Sequence, residues 1–160
     1  MWRILICILI SIIYNGYIFW KYKKIPVSLS ETSYILGGFK RYWFTLYCSI
    51  IGTILLPILI EATPENYEVI SLLICTGLLL AGVSPTFRQG GLERTVHYIS
   101  SFISFAGFIL YTILCIDWVW LIWYGIILGS LCIWKKECYV WFAEMLALIV
   151  ILIDLIWKIG

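Results

Sequence analysis

Few side chains in this sequence can do chemistry, so their positions carry weight. Glu144 stands alone inside an apolar run that starts at Tyr139, five residues earlier. At 1.5 Å per residue that puts it about 7 Å along a helix. An acid at such a depth in a bilayer costs a few kcal/mol unless it turns toward the bundle interior or a wet cavity. One reading of Glu144 is therefore a proton-carrying or cation-binding site. The other is a carboxyl that reaches the interface or hydrogen-bonds a neighbouring helix to fix its register. His97 is the sole histidine and heads another apolar run at a matching depth. Ser100 and Ser104 follow it at spacings of three and four, on one helical face. Asn15, Ser49, Ser84 and Ser101 fall in the same half of their own runs. Glu144, His97, Asn15, Ser49, Ser100 and Ser104 are thus the candidates for a ligand-binding or proton-binding pocket open to the cytoplasm. Asp154 has Lys158 at i+4, and the expectation there is a local ion pair.

Other chemistry is poorly supported. Arg88 and Arg94 flank Gly90-Gly91. Such a turn can aim backbone N–H groups at a phosphate, as in a lipid headgroup, or it can be a solvated turn whose charges only set topology. No G-x-S-x-G, HExxH or HxxxH motif occurs. The His97/Ser100/Ser101 grouping has no third orienting residue, so the chain is not expected to be an enzyme. One histidine and six cysteines without CxxC spacing give no metal site, and no cofactor is expected. The cysteines lie mostly in apolar runs and read as small hydrophobes. A net charge of +2 without a basic stripe argues against nucleic acid.

The elements that must hold these groups follow from composition. Of the 160 residues, 63% are apolar and 12% charged. Soluble domains have about 25% charged residues, so this chain cannot cover a water-facing surface. It is expected to be a single integral membrane domain, an all-α bundle. Six segments, 2–20, 42–60, 67–87, 96–116, 118–134 and 139–157, approach the ~20 apolar residues that a membrane helix needs. The first lacks a small-residue cleavage site and reads as a retained helix. Connections alternate in charge, with nine of the eleven Lys and Arg residues on one side. The positive-inside rule puts that side in the cytoplasm and both termini outside. Most tryptophans sit within a turn of a segment end, as a membrane-interface belt requires. A bacterial inner membrane is the expected location.

Small residues mark contact faces: Gly77-xxx-Ala81, Gly125-xxx-Gly129, Thr45/Ser49/Gly52, Ser11/Asn15 and the His97–Gly107 face. Pro57 is expected to kink its helix. Ser28 and Glu31 form a capping box for a helix over 29–36, which either lies on the membrane surface or is a plain linker. In size and span count the chain is similar to the substrate-binding subunits of energy-coupling vitamin transporters. Its first helix, Ile-Leu-Ile-Cys-Ile-Leu-Ile-Ser-Ile-Ile over 4–13, lacks their alanine pairs, so the resemblance covers architecture alone. No internal repeat supports an inverted-repeat transporter. Two functions follow as expectations. One is binding or transport of a small solute, ion or lipid in a pocket among spans one, two, four and six. The other is a non-catalytic membrane subunit or assembly protein. Expected partners are membrane lipids and either a second copy or another membrane protein.

Overall fold

A computed structural model describes residues 1–159. Seven α-helices make up the fold: α1 (Trp2–Tyr22), α2 (Thr32–Leu36), α3 (Tyr42–Ala62), α4 (Glu68–Gly82), α5 (Gly91–Tyr111), α6 (Val119–Trp134) and α7 (Tyr139–Ile159). With their flanking turns, five stretches are long and apolar enough to cross a membrane: Trp2–Tyr22, Gly38–Ala62, Glu65–Gly82, Gly91–Ile116 and Lys136–Ile159. None buries even half of its apolar window inside the molecule. The outward faces instead carry residues such as Leu5, Leu9, Ile12, Leu46, Val69 and Phe102, all exposed. So much bare apolar surface, spread over every long helix, is suited to lipid and not to water. The chain is a multi-pass membrane helical protein.

The helices alternate in direction. At one end, Cys138 and Trp141 bond Ile25 and Val27, while Ser33 bonds Pro85. At the other end, Met1 and Trp2 share a hollow with Ile58, Glu61 and Ile159, and Lys158 reaches the Cys115 carbonyl. α6 connects these ends with 16 residues, about 24 Å long. That is short of the ~30 Å hydrocarbon core, and α6 is the one expected segment that stays below 18 residues, since α4 reaches 18 with its flanking turn over Glu65–Tyr67.

Close packing centres on α4 and α5. A Cβ at Gly77 would stand 2.7 Å from both the Ser100 carbonyl and the Ser104 amide. Gly107 similarly admits Ile74, and Gly82 admits Cys48. Thr45 Oγ1 donates to the Gly82 carbonyl at 2.7 Å and ties α3 to α4. These are faces that the small-residue spacing predicts. Gly125 and Gly129 are different, since a Cβ at either would meet nothing within 4 Å. α6 buries no residue at all and leans on α7 through Tyr124, whose hydroxyl donates to the Ala143 carbonyl at 3.0 Å.

Local chemistry moves several boundaries. The segment expected over 67–87 leaves the helix at Gly82, because Pro85 lacks an N–H and disfavours helix in the residue before it. α3 runs through Pro57 to Ala62. α5 begins at Gly91, five residues before the expected start, and its last turn widens into a π-helix over Thr112–Ile116. The 29–36 helix shrinks to Thr32–Leu36. Glu31 Oε2 accepts from the Val27 amide, one residue short of a regular capping box, while Ser28 Oγ accepts from the Glu31 amide. Thr32, Ser33, Leu29 and Leu36 are buried.

Candidate functional site

Burial of the 25–36 segment needs explanation, because non-helical backbone at depth must satisfy its own polar groups. Its hydroxyls do much of this. Thr32 Oγ1 donates to the Leu29 carbonyl at 2.5 Å and Ser33 Oγ to the Ser30 carbonyl at 2.8 Å. Tyr14 from α1 also bonds Thr32. Trp141 N–H donates to the Val27 carbonyl at 2.9 Å. The Leu29 amide donates to Glu144 Oε2 at 2.6 Å. On the far side, Ser33 Oγ donates to the Pro85 carbonyl at 3.0 Å, and Arg88 pairs with Glu31 at 2.9 Å. The Tyr34 hydroxyl accepts from the Arg88 amide at 2.5 Å. The segment is thus clamped between α7 and the 83–90 turn, and it closes one end of the bundle.

Beneath it lies a cavity of about 130 Å³. Residues at helical spacing on four helices form its wall. Phe44, Tyr47, Ile51 and Leu55 come from α3, and Ile74, Leu78 and Ala81 from α4. His97, Ser101, Ser104 and Phe108 come from α5, and Glu144, Ala147, Leu148 and Ile151 from α7. Leu29 and Ser30 form the roof. The lining is mostly apolar, with its charged and ring-nitrogen groups toward the roofed end.

Glu144 is partly buried, and only its Oε2 has a protein partner. His97 is 4% exposed and stacks on Phe87 at 3.9 Å between ring centres. Its Nδ1 lies 3.1 Å from the Ala81 carbonyl. A carbonyl only accepts, so Nδ1 carries the proton and Nε2 presents a lone pair in the neutral ring. No fully buried side-chain N or O atom among the described residues lacks a partner. Glu144 Oε1 and His97 Nε2, which have none, therefore reach open space, and both residues line the cavity.

No protein-family model, curated protein or solved structure matches this chain.

Of the sequence candidates, Glu144, His97 and Ser104 meet at the cavity, joined by Ser101. The others lie elsewhere. Asn15 belongs to the α1–α7 contact: its amide nitrogen donates to the Ser11 carbonyl at 2.9 Å, and its oxygen accepts from Trp141 Nε1 at 3.3 Å. Ser100 donates within its own helix, to Val96 and His97 carbonyls. Ser49 lies on α3 outside the lining. Arg88 is held by Glu31, whereas Arg94 stands exposed at the start of α5. α1 contributes nothing to the wall, and α4 takes the place expected for it. Sequence reasoning missed the roof and the aromatic wall. Phe44 and Tyr47 carry a usable signal, since they share the i, i+3, i+4 stripe with Ile51.

At the opposite end, Asp154 is buried and ion-paired through one oxygen. Its Oδ2 accepts from the Tyr111 hydroxyl at 2.8 Å and pairs with Lys158 Nζ at 3.1 Å. Lys158 also donates to the Cys115 carbonyl, which the π-turn leaves free.

Proposed function

We propose that this is a membrane-embedded binding protein that holds a small amphiphile in the cavity beside Glu144. The ligand has an apolar body among the side chains of α3, α4, α5 and α7, and a polar group at Glu144 and His97. The observation that carries this reading is an acid in an apolar helix that lines a mostly apolar cavity and has one oxygen without a protein partner. Asp154, by contrast, has a cation and a hydroxyl on its engaged oxygen, whereas Glu144 has only the Leu29 amide. The size of the cavity selects the size of ligand. An engineered apolar cavity of about 150 Å³ takes up benzene, so this one suits a single ring or a short chain and not a whole lipid. In this reading the chain crosses the membrane six times, with both termini outside and the roof facing the cytoplasm. The nine basic residues at the roofed end and the end-to-end course of α6 support that topology.

Native mass spectrometry from mild detergent tests the binding function. Wild-type protein is expected to carry a small molecule that Ala147→Leu, which fills the cavity, does not. Release of both at the bare chain mass would count against the reading.

A second reading, a subunit of a membrane assembly, rests on α6. Its Gly125-xxx-Gly129 face meets no other part of the chain. The same spectra test it: a dimer in wild type that Gly129→Leu abolishes would support self-association through α6.

A further inference from the structure

Three acids are withdrawn from the surface: Glu31, Glu144 and Asp154. Glu31 is paired with Arg88 and Asp154 with Lys158. Glu144 has no cation within reach among the described residues. Its single protein partner is a backbone N–H, which carries no net charge. A carboxylate withdrawn from water is strongly favoured by a compensating positive charge, and here the protein supplies none. We infer that the cavity ligand supplies it, and that the site recognises a primary or secondary organic ammonium with a ring-sized apolar body. This inference rests on the proposed binding function and narrows its ligand class.

Hydrogen-bond polarity at the roofed end agrees. Glu144 Oε1 accepts only, as long as the acid is ionised. His97 spends its one N–H on the Ala81 carbonyl, so its Nε2 also accepts. Ser104 spends its hydroxyl proton on the Ile74 carbonyl at 2.9 Å, which leaves it oxygen lone pairs. Three groups that line one cavity thus want donors, and an ammonium offers two or three N–H bonds from a single atom. A carboxylate ligand would meet repulsion from Glu144 and find no complementary cation. The aromatic wall adds to the preference, because rings attract ammonium groups through their faces. Ser101, with no protein partner, is left to bond whatever else the ligand presents.

The test uses full-length protein in mild detergent and three probes of similar shape: benzylammonium, benzyl alcohol and phenylacetate. Thermal unfolding is followed as each probe is titrated, since a ligand of the native state raises the midpoint in proportion to ln(1 + [L]/Kd). Benzylammonium is expected to bind about tenfold tighter than benzyl alcohol, because its positive charge attracts the Glu144 carboxylate where the alcohol offers a hydrogen bond alone. Phenylacetate is expected to give no shift. Glu144→Gln should bring benzylammonium down to the level of benzyl alcohol, because the amide keeps a carbonyl acceptor and loses the charge. Benzyl alcohol or phenylacetate binding as tightly as benzylammonium in wild type would overturn the ammonium assignment and leave the binding function standing. Absence of any shift with all three probes would overturn both. The wild-type comparison decides the matter even where Glu144→Gln does not fold.

Discussion

Glu144 and Asp154 are both acids in α7, and their surroundings set opposite expectations. Asp154 is held by Tyr111 and Lys158, so Asp154→Ala leaves the Tyr111 hydroxyl without its buried acceptor. A loss of about 1–3 kcal/mol is expected, read as a lower unfolding midpoint in detergent. Lys158→Ala should lower the midpoint as well, since it leaves the buried Asp154 carboxylate without its compensating charge. Glu144→Ala has a local effect instead. It removes the acceptor of the Leu29 amide, and hydrogen exchange across Val27–Glu31 is expected to accelerate, while Glu144→Gln keeps a carbonyl acceptor and slows it again. Equal exchange in wild type and Glu144→Ala would mean that the Leu29 bond does not hold the roof. At this scale the sequence was informative about Glu144, because an acid in an apolar run cannot be explained by topology. It was uninformative about the partner, since a backbone N–H at Leu29 looks like any other in sequence. Asn15 and Ser100 lie off the cavity lining, and each donates within its own helix, as amides and hydroxyls in apolar helices readily do.

The α4–α5 pair and α6 carry similar small-residue motifs and are used differently. Gly77→Ala would drive a methyl into the Ser100 and Ser104 backbone and is expected to destabilise by about 1–3 kcal/mol. Gly125→Ala meets open space and is expected to be neutral or to stabilise by up to about 1 kcal/mol through helix propensity. Unfolding midpoints of the two variants, measured side by side, check both expectations. Spacing alone could not separate these cases. A GxxxG pattern marks a helix able to approach another, and whether a neighbour stands there depends on the connections. The short turn at Asp117 leaves α6 beside α7 at the edge of the bundle. The 25–36 segment shows the limit from the other side. Its Ser28/Glu31 capping box predicted a short helix over 29–36, on the membrane surface or in a plain linker, but its burial depends on contacts with Pro85, Arg88 and Trp141, far away in sequence.

At the scale of the molecule, composition foretold an all-α bundle with long apolar helices, because lipid requires apolar length. Cysteine labelling from either side of sealed vesicles checks the six-span arrangement. Glu65→Cys should react from outside, and Arg94→Cys and Lys136→Cys from inside. Labelling of Lys136→Cys from outside would mean that α6 does not cross. The central claim is that the cavity under the 25–36 roof is a binding site, which α3, α4, α5 and α7 jointly build. The most direct measurement is equilibrium binding of benzyl alcohol to wild-type and Ala147→Leu protein in lipid nanodiscs, followed by saturation-transfer NMR. The account predicts saturable uptake at one site per wild-type chain, and only unsaturable partitioning into lipid for Ala147→Leu. Identical, unsaturable curves for the two proteins would contradict it.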